Sequence, residues 1–162
     1  MRLALAALFC ALASTAWSAD FQVELEVPRL NVAEYHAPYV AFWLRHAQSG
    51  EVTPLGLWYD DQEKWLKDLR LWWRRTGRAQ SAPYDGFTGA TRRPGGHAMD
   101  FSSLPALTDL PAGDYELVVE AAREVGGREV VRLPFQWPAT EATTVHADGD
   151  KELGRIELRL AP

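Results

Sequence analysis

Seven consecutive residues, Phe21-Gln22-Val23-Glu24-Leu25-Glu26-Val27, alternate apolar and polar without a break. A period of two puts successive side chains on opposite faces of a pleated strand, and no helix has that period. A strand with one dry face needs another layer to cover it, so the chain is committed to a layered β structure. Pro28 ends this strand. Residues 39–44, Tyr-Val-Ala-Phe-Trp-Leu, read as a more deeply buried strand. Gln48-Ser49-Gly50 turns the chain, and residues 52–59 return as a third strand. Pro54 within it predicts an edge or a bulge, because proline has no N–H to give a ladder.

The period then changes. Residues 60–76 contain neither glycine nor proline and set Trp65, Leu69, Trp72 and Trp73 at helical spacing. Asp60 or Asp61 suits the N-cap, Glu63 the first turn, Arg74 and Arg75 the last turn, and Gly77 the stop. Residues 78–96 are rich in Gly and Pro and read as a long connection, a kind of segment that in small domains is often functional. A short strand is expected over 97–103. Residues 110–114 form a turn, 115–121 alternate as a strand, and Gly126-Gly127 closes a hairpin into 130–137. Residues 139–151 are polar and read as loop, and 156–160 form a last amphipathic strand. About seven short strands and one helix predict a mostly β chain: an immunoglobulin-like β-sandwich with one inserted α-helix, a single domain over 20–162.

The N-terminus reads as an export signal. Arg2 precedes the apolar run 3–13, and small residues follow at Ser14, Ala16 and Ser18, predicting a signal peptide over 1–19 with cleavage near Ala16 to Ala19. The run is short for a membrane span, so the processed chain is not expected to span a membrane. Phe9 directly before Cys10 is wrong for lipoprotein processing. Processing removes the only cysteine, and with it any disulfide, thiol chemistry or iron–sulfur ligation. The formal net charge of −5 argues against a nucleic-acid partner. His36, His46, His97 and His146 are scattered without metal-ligand spacing, so no metal site is expected.

Inside the long connection stands Asp85-Gly86-Phe87-Thr88-Gly89-Ala90-Thr91. It resembles the acceptor motif of proteins to which a periplasmic FMN transferase attaches flavin: Asp, two variable residues, Ser or Thr, Gly, Ala, Ser or Thr. Every defined position is filled. From average residue usage, a chain of this length carries such a match by chance on the order of once in a thousand. The resemblance implies a phosphoester between the FMN phosphate and Thr91. Arg92 and Arg93 are then placed to pair that phosphate in planar, bidentate geometry. Candidate platforms for the flavin ring are Phe87, Tyr84, Trp72 and Trp73. For the tryptophans, helical spacing points more strongly to core packing.

Further stretches, among them Ala37-Pro38-Tyr39-Val40-Ala41-Phe42-Trp43, Lys64-Trp65-Leu66-Lys67-Asp68-Leu69 and Leu110-Pro111-Ala112-Gly113-Asp114-Tyr115, resemble a bacterial family of predicted periplasmic proteins. Its members are commonly encoded beside PepSY-type membrane proteins and the FMN transferase. The resemblance implies an Ig-like fold, a periplasmic location, and a PepSY-type membrane reductase as partner. Together these expectations describe a redox carrier with covalent FMN rather than an enzyme with its own substrate. The alternative is a non-redox Ig-like binding or accessory module of a periplasmic, membrane-associated complex.

Overall fold

A computed structural model describes residues 19–60 and 62–162. The predicted signal peptide, apart from Ala19, and the predicted cap residue Asp61 lie outside the described residues. Among the described residues, nine strands form two sheets: β1 (Asp20–Val27), β2 (Tyr39–His46), β3 (Val52–Trp58), β4 (Phe87–Gly89), β5 (Gly95–Asp100), β6 (Gly113–Ala122), β7 (Arg128–Trp137), β8 (Thr143–Asp148) and β9 (Arg155–Ala161). One sheet has the order β5-β1-β9-β8, the other β4-β3-β2-β6-β7. All described pairings are antiparallel except β3 with β4. The mostly β sandwich expected from the alternation is the observed architecture.

The two kinds of strand pattern have two structural outcomes. β1 buries Phe21, Val23, Leu25 and Val27 between the sheets and leaves its polar residues in water. β2 is buried on both faces. Its Val40, Phe42 and Leu44 join the core between the sheets, whereas Ala41 and Trp43 belong to a second apolar cluster on the outer face of the five-stranded sheet. Leu66, Leu69, Trp72 and Tyr84 cover that cluster. Covering it takes a third layer, and the segment after β3 supplies it. Burying a side chain the size of Leu69 or Trp72 contributes about 1.5–3 kcal/mol or more, enough to hold a short helical segment that is unstable alone.

That third layer corrects the expectation of one continuous helix over 60–76. A 3-10 helix, Glu63–Asp68, is followed by α1 (Arg70–Arg75) and a further 3-10 turn, Gly77–Ala79. The break at Leu69 has a tertiary cause. Glu120, fully buried in β6, accepts the backbone N–H of Leu71 at 3.0 Å and of Trp72 at 2.7 Å. These donors begin α1, where the preceding turn has no carbonyls for them. Gly77 stops α1 as expected, and a Cβ there would lie 2.4 Å from the Trp72 ring, so the chain folds back across the indole only because the residue is glycine.

Two more corrections concern strands. The segment expected as loop over 139–151 contains β8, whose inward residues, Val145 and Ala147, are small and only half buried. The long connection over 78–96 contains β4 and the start of β5. Pro54 does mark an irregularity: the register against β2 shifts there, with Phe42 opposite Gly56 and Trp43 opposite Pro54. β4 pairs only with residues 56–58, so Pro54 sits on the free edge of β3. After β5, α2 (Pro105–Thr108) leads into β6.

Candidate functional site

The sequence-predicted motif runs along the edge of the five-stranded sheet. Asp85 opens it with a two-way link to Gln80: the Gln80 amide donates to Asp85 Oδ2 at 3.0 Å, and the Asp85 N–H donates to Gln80 Oε1 at 3.2 Å. Gly86 follows with φ +89°, and a Cβ on it would stand 2.4 Å from the Leu55 carbonyl oxygen. Only glycine combines that backbone with that approach. Phe87, Thr88 and Gly89 then form β4, in parallel register with Gly56, Leu57 and Trp58, and the Tyr59 N–H donates to the Gly89 carbonyl at 2.9 Å. The motif's centre is therefore a short edge strand rather than free loop.

Residues 90–94 cross from this edge to β5 on the opposite sheet, bridging the open side of the sandwich. His97 on β5 donates through Nε2 to the Arg93 carbonyl at 2.8 Å, which assigns the proton on that nitrogen. The Arg92 guanidinium lies over the Trp58 ring, 5.4 Å from its centroid, and His97 meets the same ring edge-on at 5.6 Å. Thus the crossing is held at both ends, with Ala90, Arg92 and Arg93 exposed between the half-buried Thr91 and Pro94. Asp85, Gly86, Thr88, Ala90, Arg92 and Arg93 are exposed, and Gly89 and Thr91 are half buried. A Cβ on Gly89 would meet nothing within 4 Å.

Thr91 borders a small cavity of about 70 Å³ whose walls include His36, Asp60, Trp65, Asp68 and Glu124. Three of these are carboxylates, and Tyr39 donates to Asp60 beside them. The hydroxyl-bearing end of the motif therefore has an acidic side, toward the 3-10 helix, and a basic side, toward Arg92 and Arg93. Neither arginine forms an ion pair among the described residues.

The candidate ring platforms separate by burial. Trp72 and Tyr84 are core residues of the outer cluster, with ring centroids 5.7 Å apart. Burial and the neighbouring Glu63 carboxylate hold the Tyr84 phenol above its ordinary pKa. Trp73 is half buried. Phe87 is 46 % exposed, stacked by one face on the buried Phe101 ring at 5.9 Å and 20°, with its remaining surface open. Sequence reasoning did not single out Gln80, Trp58, Asp68 or Glu124 as site residues, and read Asp60 only as a helix cap. Gln80 lies in the same connection, five residues before Asp85, while Trp58 and the carboxylates come from other segments, and nothing in the local pattern of any of them connects it to the motif.

The histidines stay apart: His36 contacts Glu34 and Glu124, His46 packs on Tyr115, and His97 is bound to the crossing. Among the described residues, no three His, Cys, Asp or Glu side chains are grouped to hold a metal ion, and no helix is long and apolar enough to cross a membrane. No curated protein and no solved structure matches the chain. A family described as "Predicted periplasmic protein (DUF2271)" matches residues 20–155, which takes in β1 to β8 and the whole motif and ends at the first residue of β9. The chain belongs to this family of predicted periplasmic proteins.

Proposed function

We propose that the protein is a periplasmic electron carrier that holds FMN covalently through a phosphoester on Thr91, attached by an FMN transferase. The observation that carries this reading is the complete acceptor motif, Asp85 to Thr91, on an exposed edge strand and crossing. A group-transfer enzyme needs a thin, accessible segment, and the open space at Gly89 meets that need. In the attachment step the Thr91 hydroxyl oxygen forms the new bond to phosphorus. Its proton passes to a base of the transferase, and the phosphoanhydride bond of a flavin dinucleotide donor breaks, its other half leaving as a nucleoside monophosphate.

The residues present fit the group. Arg92 and Arg93 follow Thr91 directly, are exposed and have no carboxylate partner among the described residues, so they are free to pair a phosphate diester. The carboxylates on the other side of Thr91 repel the same charge and orient it toward the arginines. Phe87 offers an apolar surface four residues from the attachment point. The bound flavin supplies the one- and two-electron chemistry, while the chain tethers it, neutralises its phosphate and sets the polarity around it. A PepSY-type membrane reductase is the partner this reading implies.

The test is co-expression of the exported protein with a periplasmic FMN transferase and an intact-mass measurement under denaturing conditions. A gain of one FMN less one water, absent in Thr91→Ala, supports the carrier. An unmodified mass, with a known acceptor protein modified in parallel, favours the non-redox binding module.

A further inference from the structure

Apart from Arg29 and Lys151, which are exposed, lie elsewhere and are unpaired among the described residues, the described lysines and arginines fall into two groups. Arg45, Arg123, Arg128, Arg132, Arg155 and Arg159 each reach a carboxylate within 4.0 Å. The cations of the third layer, Lys64, Lys67, Arg70, Arg74, Arg75 and Arg78, are all exposed and reach none among the described residues. Arg92 and Arg93 extend the unpaired set onto the adjoining crossing, which meets the layer where Thr91 and Trp65 line one cavity. Of the layer's described carboxylates, Glu63 accepts from Tyr84 at 3.4 Å and Asp68 lines the cavity at Thr91. A chain of formal charge −5 thus concentrates uncompensated positive charge on one layer.

Large apolar side chains lie among these cations. Leu66, Leu69 and Trp72 are buried in the outer cluster, and Trp65, Leu71 and Trp73 pack against that cluster with part of each side chain still exposed. Lys64 lies over the Trp65 ring, 4.7 Å from its centroid. An acidic protein surface is matched by charge alone. Tryptophan and leucine at half depth among lysine and arginine match a boundary where phosphate headgroups meet acyl chains. We propose that this layer docks the protein flat on anionic phospholipid bilayers, with the cations at the headgroup phosphates and Trp65, Leu71 and Trp73 at the acyl boundary. The docking is peripheral and salt-sensitive, and it stands independently of flavin attachment.

The test is flotation of the full exported protein, purified without flavin loading, with phosphatidylcholine vesicles that contain either no anionic lipid or about one-third phosphatidylglycerol. Binding is expected only to the anionic vesicles and is reversed by high salt, since screening shortens the reach of the charges. Arg70→Ser/Arg74→Ser/Arg75→Ser weakens partitioning on the order of a hundredfold, because each cation near an anionic surface contributes about five-fold. Arg155→Ser/Arg159→Ser, on the four-stranded sheet, leaves partitioning within about two-fold, since charges held beyond a screening length from the lipid contribute little. Circular dichroism confirms that the variants are folded. Equal behaviour on both vesicles, no flotation of folded protein, or unchanged flotation of the triple variant overturns the proposal. So does salt-sensitive retention on immobilised polyglutamate without vesicle binding, which reassigns the layer to an acidic protein.

Discussion

Glu120 accepts the backbone N–H of Trp72 at 2.7 Å across 48 positions of sequence. The same carboxylate accepts from Leu71 at 3.0 Å and from the Arg128 guanidinium at 2.6 Å. One buried side chain thereby caps the start of α1 and fixes the third layer to the sheet. Replacing it with alanine leaves two backbone donors and a guanidinium without their acceptor. The expected cost is about 3–5 kcal/mol, the range for breaking a buried charge pair. Urea unfolding of Glu120→Ala, followed by tryptophan fluorescence, checks this. A loss below about 1 kcal/mol would mean that water replaces the carboxylate and that the layer is held by its apolar contacts alone.

Glu120 also explains where sequence reasoning stopped. The pattern of residues 60–76 carries a helical period, and nothing in that window reveals that its N–H groups find their acceptor on β6. β1 and β2 were legible because their periods are strong and their buried residues are large. β8 was not: Val145 and Ala147 alternate with polar residues on a short edge strand, too weak a signal against a polar background. The motif was legible as a string of residues. Its pairing with β3 was not, because a three-residue parallel strand depends on where Gly56 to Trp58 lie in space.

A second carboxylate gives stability a pH dependence. Glu129 on β7 accepts the backbone N–H groups of Asp150, Lys151, Glu152 and Leu153, gathering the turn between β8 and β9 around itself. Burial raises its pKa, but these backbone hydrogen bonds outweigh burial and bring it below the ordinary 4.5. A pKa depressed in the folded state contributes stability that is complete above the unfolded value and is lost as pH falls through the folded value. The stability gap between wild type and Glu129→Gln is therefore widest near neutral pH and narrows below about pH 4.5. Urea midpoints measured from neutral to acid pH decide it, and a gap constant with pH would remove Glu129 as the cause.

Gly86 and Gly89 lie three residues apart in the motif and should fail differently. Gly86→Ala forces a Cβ into the Leu55 carbonyl oxygen at a backbone φ of +89°. The expected loss is about 1–3 kcal/mol, with β4 displaced from β3. Gly89→Ala meets no atom within 4 Å and should unfold at nearly the wild-type urea midpoint. If the transferase reads the motif, Gly89→Ala nevertheless loses most of its flavin mass, since the defined glycine is gone while the fold is intact. Normal flavin loading of a stable Gly89→Ala protein would separate the segment's shape from its recognition and weaken the carrier reading.

Phe87 gives a spectroscopic test of where an attached flavin rests. Its ring is stacked on Phe101 by one face and 46 % exposed. Trp72 and Tyr84 are committed to the outer core and have no free face. Phe87→Ala removes one aromatic contact and part of an exposed ring, costing about 1 kcal/mol of stability. Polarity around the tether changes more, because solvent then reaches the surface that Phe87 covered. In flavin-loaded protein, the expected result is a shift of the flavin absorption bands toward those of free FMN and a rise in quenched emission, with the covalent mass unchanged. Arg92→Ser acts on the phosphate side instead and should leave the bands in place. Identical spectra for wild type and Phe87→Ala would place the ring away from this edge, with half-buried Trp73 as the remaining aromatic among the candidates.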